Sequence, residues 1–146
     1  MACPLFIPKT SLGELVSIAT PLGDLYGGSC AAAPSAVIEP ETLRRYCNFG
    51  YARGHCERAA ESDADAVRLL VRAERGDFVE IAWAVERNHH PVAVGNMECK
   101  PGTQPIEGDV LAWQAHACAA AYMRQVHPGA DEARRIAAGT HHLNGQ

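Results

Sequence analysis

From Ala66 the chain alternates. Val67, Leu69, Val71 and Ala73 fall on one face of an extended segment, with Arg68 and Arg72 on the other. That period of two predicts a half-buried strand over Ala66–Glu74. Arg75-Gly76-Asp77 reads as a turn. Phe78–Arg87 alternates again, with Val79, Ile81, Trp83 and Val85 on one face. Asn88-His89-His90 reads as a second turn, and Pro91 opens a third run over Val92–Cys99. Strands joined by short turns predict an antiparallel meander. Lys100-Pro101-Gly102 ends it, and the period then changes. Leu111, Ala115, Cys118 and Tyr122 fall on one stripe of a helix over Val110–Val126. Asp109 is its expected N-cap, because a carboxylate there accepts from the free N–H groups of the first turn. Pro128-Gly129 separates a short second helix over 131–138, with Gly139 as its stop.

The first 62 residues have a different texture. They are rich in Gly, Pro and Cys, and poor in periodicity apart from a short helix over Glu41–Tyr46. So long a stretch of loop is anomalous in a compact domain unless something other than an apolar core ties it down. The expected fold class is α+β: a small antiparallel β-meander, C-terminal helices and a loop-rich, cysteine-bearing N-terminal region. We expect one domain over 1–146, with 1–62 holding a metal or cluster and 63–146 forming the meander and helices.

Composition narrows the function. The 146 residues are 47% hydrophobic and 21% charged, as in an ordinary globular protein and unlike a disordered chain. No apolar run approaches the roughly 20 residues that span a bilayer, so membrane insertion is not expected. A net charge of −4 and a pI near 5.9 argue against nucleic acid as a partner. The opening Met-Ala-Cys-Pro-Leu-Phe-Ile-Pro has no basic n-region and no long apolar h-region, so the expected compartment is the reducing cytoplasm. There, six cysteines point to metal binding or redox chemistry before disulfides.

The cysteines divide by context. Cys118 sits on the apolar helix stripe and Cys99 closes a strand, so both read as small core hydrophobes. Cys3, Cys30, Cys47 and Cys56 lie in the aperiodic half. Four thiolates can complete a [4Fe–4S] cluster or a tetrahedral zinc site. Neither the C-x2–4-C knuckle of zinc ribbons nor the C-x2-C-x2-C run of bacterial ferredoxins is present. Three features favour the cluster. Gly27, Gly28, Gly50 and Gly54 would let backbone N–H groups approach inorganic sulfide. Phe6, Tyr26, Tyr46, Phe49 and Tyr51 would exclude water. Arg44, Arg45, Arg53 and Arg58 would offset an anionic centre.

The motifs Cys-Pro near the start, Pro-Leu-Gly-Asp-Leu-Tyr-Gly-Gly-x-Cys ending at Cys30, and Cys-Asn-Phe-Gly-Tyr-Ala-Arg-Gly-x-Cys over Cys47–Cys56 resemble a group of small uncharacterised bacterial four-cysteine proteins. Val-Glu-Arg-Asn-His-His-Pro-Val-Ala-Val over 85–94 extends the resemblance across most of the chain. It implies that the four cysteines act as one set, as in an iron–sulfur protein. The chain departs from that pattern after Cys56, where Glu57-Arg58-Ala59-Ala60 stands in place of an aromatic–Pro pair.

Other chemistry has less support. His89-His90 in a turn and His55 beside Cys56 are secondary candidates for ligation, His116 reads as surface or core, and His141-His142 forms no metal box. The chain has no G-x-S-x-G elbow, phosphate-binding G-x-x-x-x-G-K-S/T loop, G-x-G-x-x-G fingerprint or C-x-x-C dithiol. The expected function is therefore one-electron transfer by a [4Fe–4S] cluster on Cys3, Cys30, Cys47 and Cys56, as a carrier or a subunit docked on a larger redox enzyme. The alternative is a zinc-stabilised interaction or regulatory module using the same ligands.

Overall fold

The architecture is that of a computed structural model, which describes residues 1–13, 20–130 and 132–133. The helix expected over 131–138 lies almost wholly outside the described residues, as do His141 and His142.

The meander forms where alternation predicts it. Strands β3 (Ala66–Arg75), β4 (Phe78–Arg87) and β5 (His90–Cys99) pair antiparallel in that order. The second hairpin is tighter than expected. Asn88 and His89 alone make its turn, both at positive φ (49° and 64°), with Arg87 opposite His90. Two left-handed residues match the twist of the strands they join.

The β3–β4 pairing carries a bulge. Val71 faces Ile81 and Ala73 faces Glu80, so Arg72 is an extra residue. An inserted residue exchanges the faces beyond it. Ala73 therefore leaves the Val67–Leu69–Val71 face on which alternation put it. Glu74 takes its side, and there meets the Tyr122 hydroxyl at 3.4 Å and His127 Nε2 at 2.8 Å.

Helix α3 (Val110–Val126) is capped as expected, with the Asp109 carboxylate accepting from Ala112 N–H at 2.9 Å. It is buried on two sides. Ala115, Cys118 and Ala119 pack with Val79, Ile81 and Cys99 of the sheet. Gln114, Ala117 and Ala121 are also buried, and Ala117 joins Ala2, Cys3, Phe6, Leu22, Tyr26 and Cys47 in a second core. Small alanine side chains let neighbours approach the helix from both directions.

The N-terminal half is more ordered than its composition suggests. Strands β1 (Phe6–Ser11) and β2 (Tyr26–Cys30) pair antiparallel, with a bulge at Lys9. Ala2 bridges to Val67 at the edge of β3. The helix expected over Glu41–Tyr46 begins as a single turn, α1 (Pro40–Thr42), and widens into a π-helical turn over Leu43–Cys47. Its mark is the bond from Asn48 N–H to Leu43 O at 3.3 Å, five residues back. A short helix α2 (Glu57–Ala60) follows Cys56. Among the described residues, no helix is long and apolar enough to cross a membrane.

Candidate metal centre

Four separate segments bring Cys3, Cys30, Cys47 and Cys56 to the wall of one narrow cavity of about 20 Å3. Each arrives for a local reason. Cys3 opens a β-turn in which Phe6 N–H donates to Cys3 O at 3.0 Å, with Pro4 at the position where its fixed φ is favourable. Cys30 ends β2 opposite Phe6, and Ala31 N–H bonds to Leu5 O at 2.8 Å. Cys47 ends the π-turn, and its carbonyl accepts from Cys3 N–H at 3.0 Å. Cys56 is the residue before α2, anchored by its N–H to Ala52 O at 2.9 Å.

Two buried amides hold this frame. Asn48 Oδ1 accepts from Tyr26 N–H, while its Nδ2 donates to Tyr26 O and Leu43 O, all at 3.0 Å. It thereby fixes the π-turn to β2. Gln114 Nε2 donates to Cys3 O and Phe6 O at 2.7 and 2.8 Å, fixing the Cys3 turn to α3. Both side chains are fully buried. Sequence reading missed both. A polar residue inside an otherwise apolar helix segment was the available signal at Gln114.

The walls are largely apolar, with Leu5, Phe6, Ile38, Ala52 and Ala59 among them. Cys3, Cys30 and Cys47 are buried and Cys56 is half-buried. Burial pushes the Cys3 thiol up to about 11, although its sulfur takes hydrogen bonds from the backbone at Leu5 and Phe6, which act the other way. Cys47 rises to about 12 through burial and its neighbours Cys3, Cys56 and Cys30, with Arg58 offsetting part of the rise. Mutual repulsion of this kind means that thiolates here call for a cationic partner. All six cysteines are free thiols. Among the described residues, no three His, Cys, Asp or Glu side chains converge tightly enough to hold a single ion as they stand.

The supporting features sort differently from expectation. Of the five aromatics, Phe6 and Tyr46 line the cavity. Tyr26 instead donates to Ala117 O at 2.7 Å, and Tyr51 donates to Glu86. Of the four arginines, Arg58 lines the cavity. Arg45 pairs with Glu41, and Arg53 pairs with Asp65. Gly28 and Gly50 serve close backbone packing. A Cβ on Gly28 would lie 2.0 Å from Ile7 O, and one on Gly50 would lie 3.0 Å from Ala2 O.

Among the described residues, no histidine lines this cavity. His55 stacks on Tyr46 at the rim, centroids 4.9 Å apart, and His89 stacks on Tyr51 at 4.5 Å. Cys99 and Cys118 lie in the sheet–helix core, where burial raises each thiol to about 11. Comparisons with protein-family models, curated proteins and solved structures find no match to this chain.

Proposed function

We propose that this chain binds one [4Fe–4S] cluster through Cys3, Cys30, Cys47 and Cys56, and serves in electron transfer as a carrier or as a subunit of a larger redox enzyme. The observation that carries the reading is an apolar cavity whose wall the four thiols share. They come from four segments of a chain half that lacks a long periodic element of its own. Soft thiolates suit iron–sulfur clusters, and each iron of such a cluster takes one of them.

When bound, the cluster supplies a one-electron redox couple. The chain's own residues set its surroundings. Leu5 and Phe6 offer backbone hydrogen bonds to the Cys3 sulfur, which lower the charge that builds there. Phe6, Ile38 and Leu5 keep water from the buried side. Arg58 places a positive charge at the wall beside Cys47. Cys56, half-buried, gives the site an edge near solvent, where a redox partner protein or enzyme complex would dock. The compartment that fits is the cytoplasm, whose reducing conditions keep thiols available as ligands.

The test is substitution. Each of Cys3→Ser, Cys30→Ser, Cys47→Ser and Cys56→Ser should lower bound iron and sulfide or convert the cluster. Full iron and sulfide in all four variants would overturn the assignment.

A further inference from the structure

A second cavity, an open groove of about 280 Å3, lies along β1. Its floor is one stripe of α3. Trp113, Ala117, Ala120 and Arg124 follow one another at helical spacing, and all four line it. Alanines in the middle leave the groove open, and the larger side chains close its two ends.

Lys9 stands at one end and Arg124, ion-paired with Asp24, at the other. Lys9 is the extra residue of the β1 bulge, since Pro8 faces Gly28 and Thr10 faces Gly27. A bulge re-aims a side chain, and here the Lys9 ammonium stands 4.4 Å from the centre of the Trp113 ring. Arg124 reaches back along the helix. Its Nη2 donates to the Tyr26 hydroxyl at 2.9 Å and to Asp24 at 3.1 Å. A guanidinium has five N–H donors, so Nε and Nη1 remain for a ligand. Asp24 lies outside the lining, and no Asp or Glu is among the described residues that form it. His116 also lines the groove, and its buried Nδ1 has no partner among the described residues. A buried polar atom left in that state calls for an explanation.

We propose that this groove binds a small organic anion by its phosphate or carboxylate group, held between Lys9 and Arg124 over the floor of α3. In a chain of net charge −4, the Lys9 ammonium and the remaining N–H groups of Arg124, whose charge Asp24 offsets in part, favour an anion in a lining that holds no carboxylate. The proposal does not depend on the cluster.

Isothermal titration calorimetry on the protein as purified, at constant ionic strength, tests it with inorganic phosphate and with citrate. Saturable one-site binding of at least one probe is expected. Tighter phosphate binding identifies a phosphate ester as the ligand class, and tighter citrate binding identifies a polycarboxylate. Lys9→Gln should weaken binding about tenfold or more, because it removes a charged donor, and should leave the circular dichroism unchanged. Lys9→Arg keeps the charge and should retain binding. No saturable heat with either probe at millimolar concentration would overturn the proposal. So would equal affinity in folded Lys9→Gln, or loss of binding in folded Lys9→Arg.

Discussion

The backbone N–H of Cys3 donates to the carbonyl of Cys47 at 3.0 Å, so two of the four candidate ligands are joined by main chain before any metal enters. The thiols are therefore neighbours because of the fold. Their substitution should remove metal without dismantling the sheet. Cys47→Ser should lose bound iron and keep the far-ultraviolet circular dichroism of the meander and α3. Cys99→Ala and Cys118→Ala should do the reverse, retaining iron while lowering stability. Loss of iron in both core variants, with none in Cys47→Ser, would contradict the division.

Asn48 binds three backbone groups at 3.0 Å from a fully buried position. Asn48→Ala would leave the Tyr26 N–H and carbonyl without the amide in the interior, while Leu43 O would keep the backbone N–H of residue 48. The expected cost is about 2–3 kcal/mol, read as a lower urea midpoint at unchanged slope. The variant should also retain iron poorly, because the π-turn that ends at Cys47 would no longer be tied to β2. An unchanged midpoint would show that the amide is dispensable.

Gly28 faces Pro8 on the neighbouring strand, and a Cβ there would collide with Ile7 O at 2.0 Å. The obstacle is backbone, so it cannot rotate away. Gly28→Ala should separate β1 from β2, displace Cys30 and reduce both stability and iron content. Gly54→Ala meets no atom within 4 Å, but it must hold φ at 112°. Its expected cost is backbone strain alone, with Cys30 undisturbed. Wild-type iron content in Gly28→Ala would refute the strand-contact argument.

The metal-free protein should lose stability in alkali. The Cys3 thiol is raised to about 11 and the Cys47 thiol to about 12, each from an ordinary 9.0. Below pH 9 both thiols keep their protons in the folded and unfolded states alike, and the contribution is constant. Between pH 9 and about 11–12 the unfolded chain releases protons that the folded chain retains. Stability therefore falls as pH rises through that window. Urea midpoints measured from pH 7 to 11 should decline above about 9, and less steeply in Cys47→Ala. A flat profile would contradict the burial of these thiols. Metal loading should conversely release protons, because the ligands bind as thiolates.

The regular half of the fold was legible in the chain because it follows a single period for long stretches. Alternation located β3, β4 and β5, and the Leu111–Ala115–Cys118–Tyr122 stripe with Asp109 before it located α3. The bulge at Arg72 was not legible, since Ala73 fits either face and only pairing with Glu80 decides. The β1–β2 pair was hidden by its composition. Pro8, Gly27 and Gly28 read as turn residues, yet Pro8 sits next to a bulge and Gly28 permits close strand approach. The cysteine set could be grouped by context, but its cavity depends on contacts between distant segments. The glycines and arginines were assigned to the cluster on proximity in sequence, whereas Gly28 and Gly50 sit against neighbouring backbone and Arg45 and Arg53 are ion-paired. Asn48 and Gln114 left almost no trace, because a buried amide is recognised by its partners.

The most direct measurement is the visible spectrum of protein purified without oxygen, together with iron, acid-labile sulfide and zinc per chain. A brown protein with about four irons and four sulfides per chain is the predicted result. A colourless protein with one zinc and no iron or sulfide would contradict the cluster and leave a zinc-stabilised module in its place.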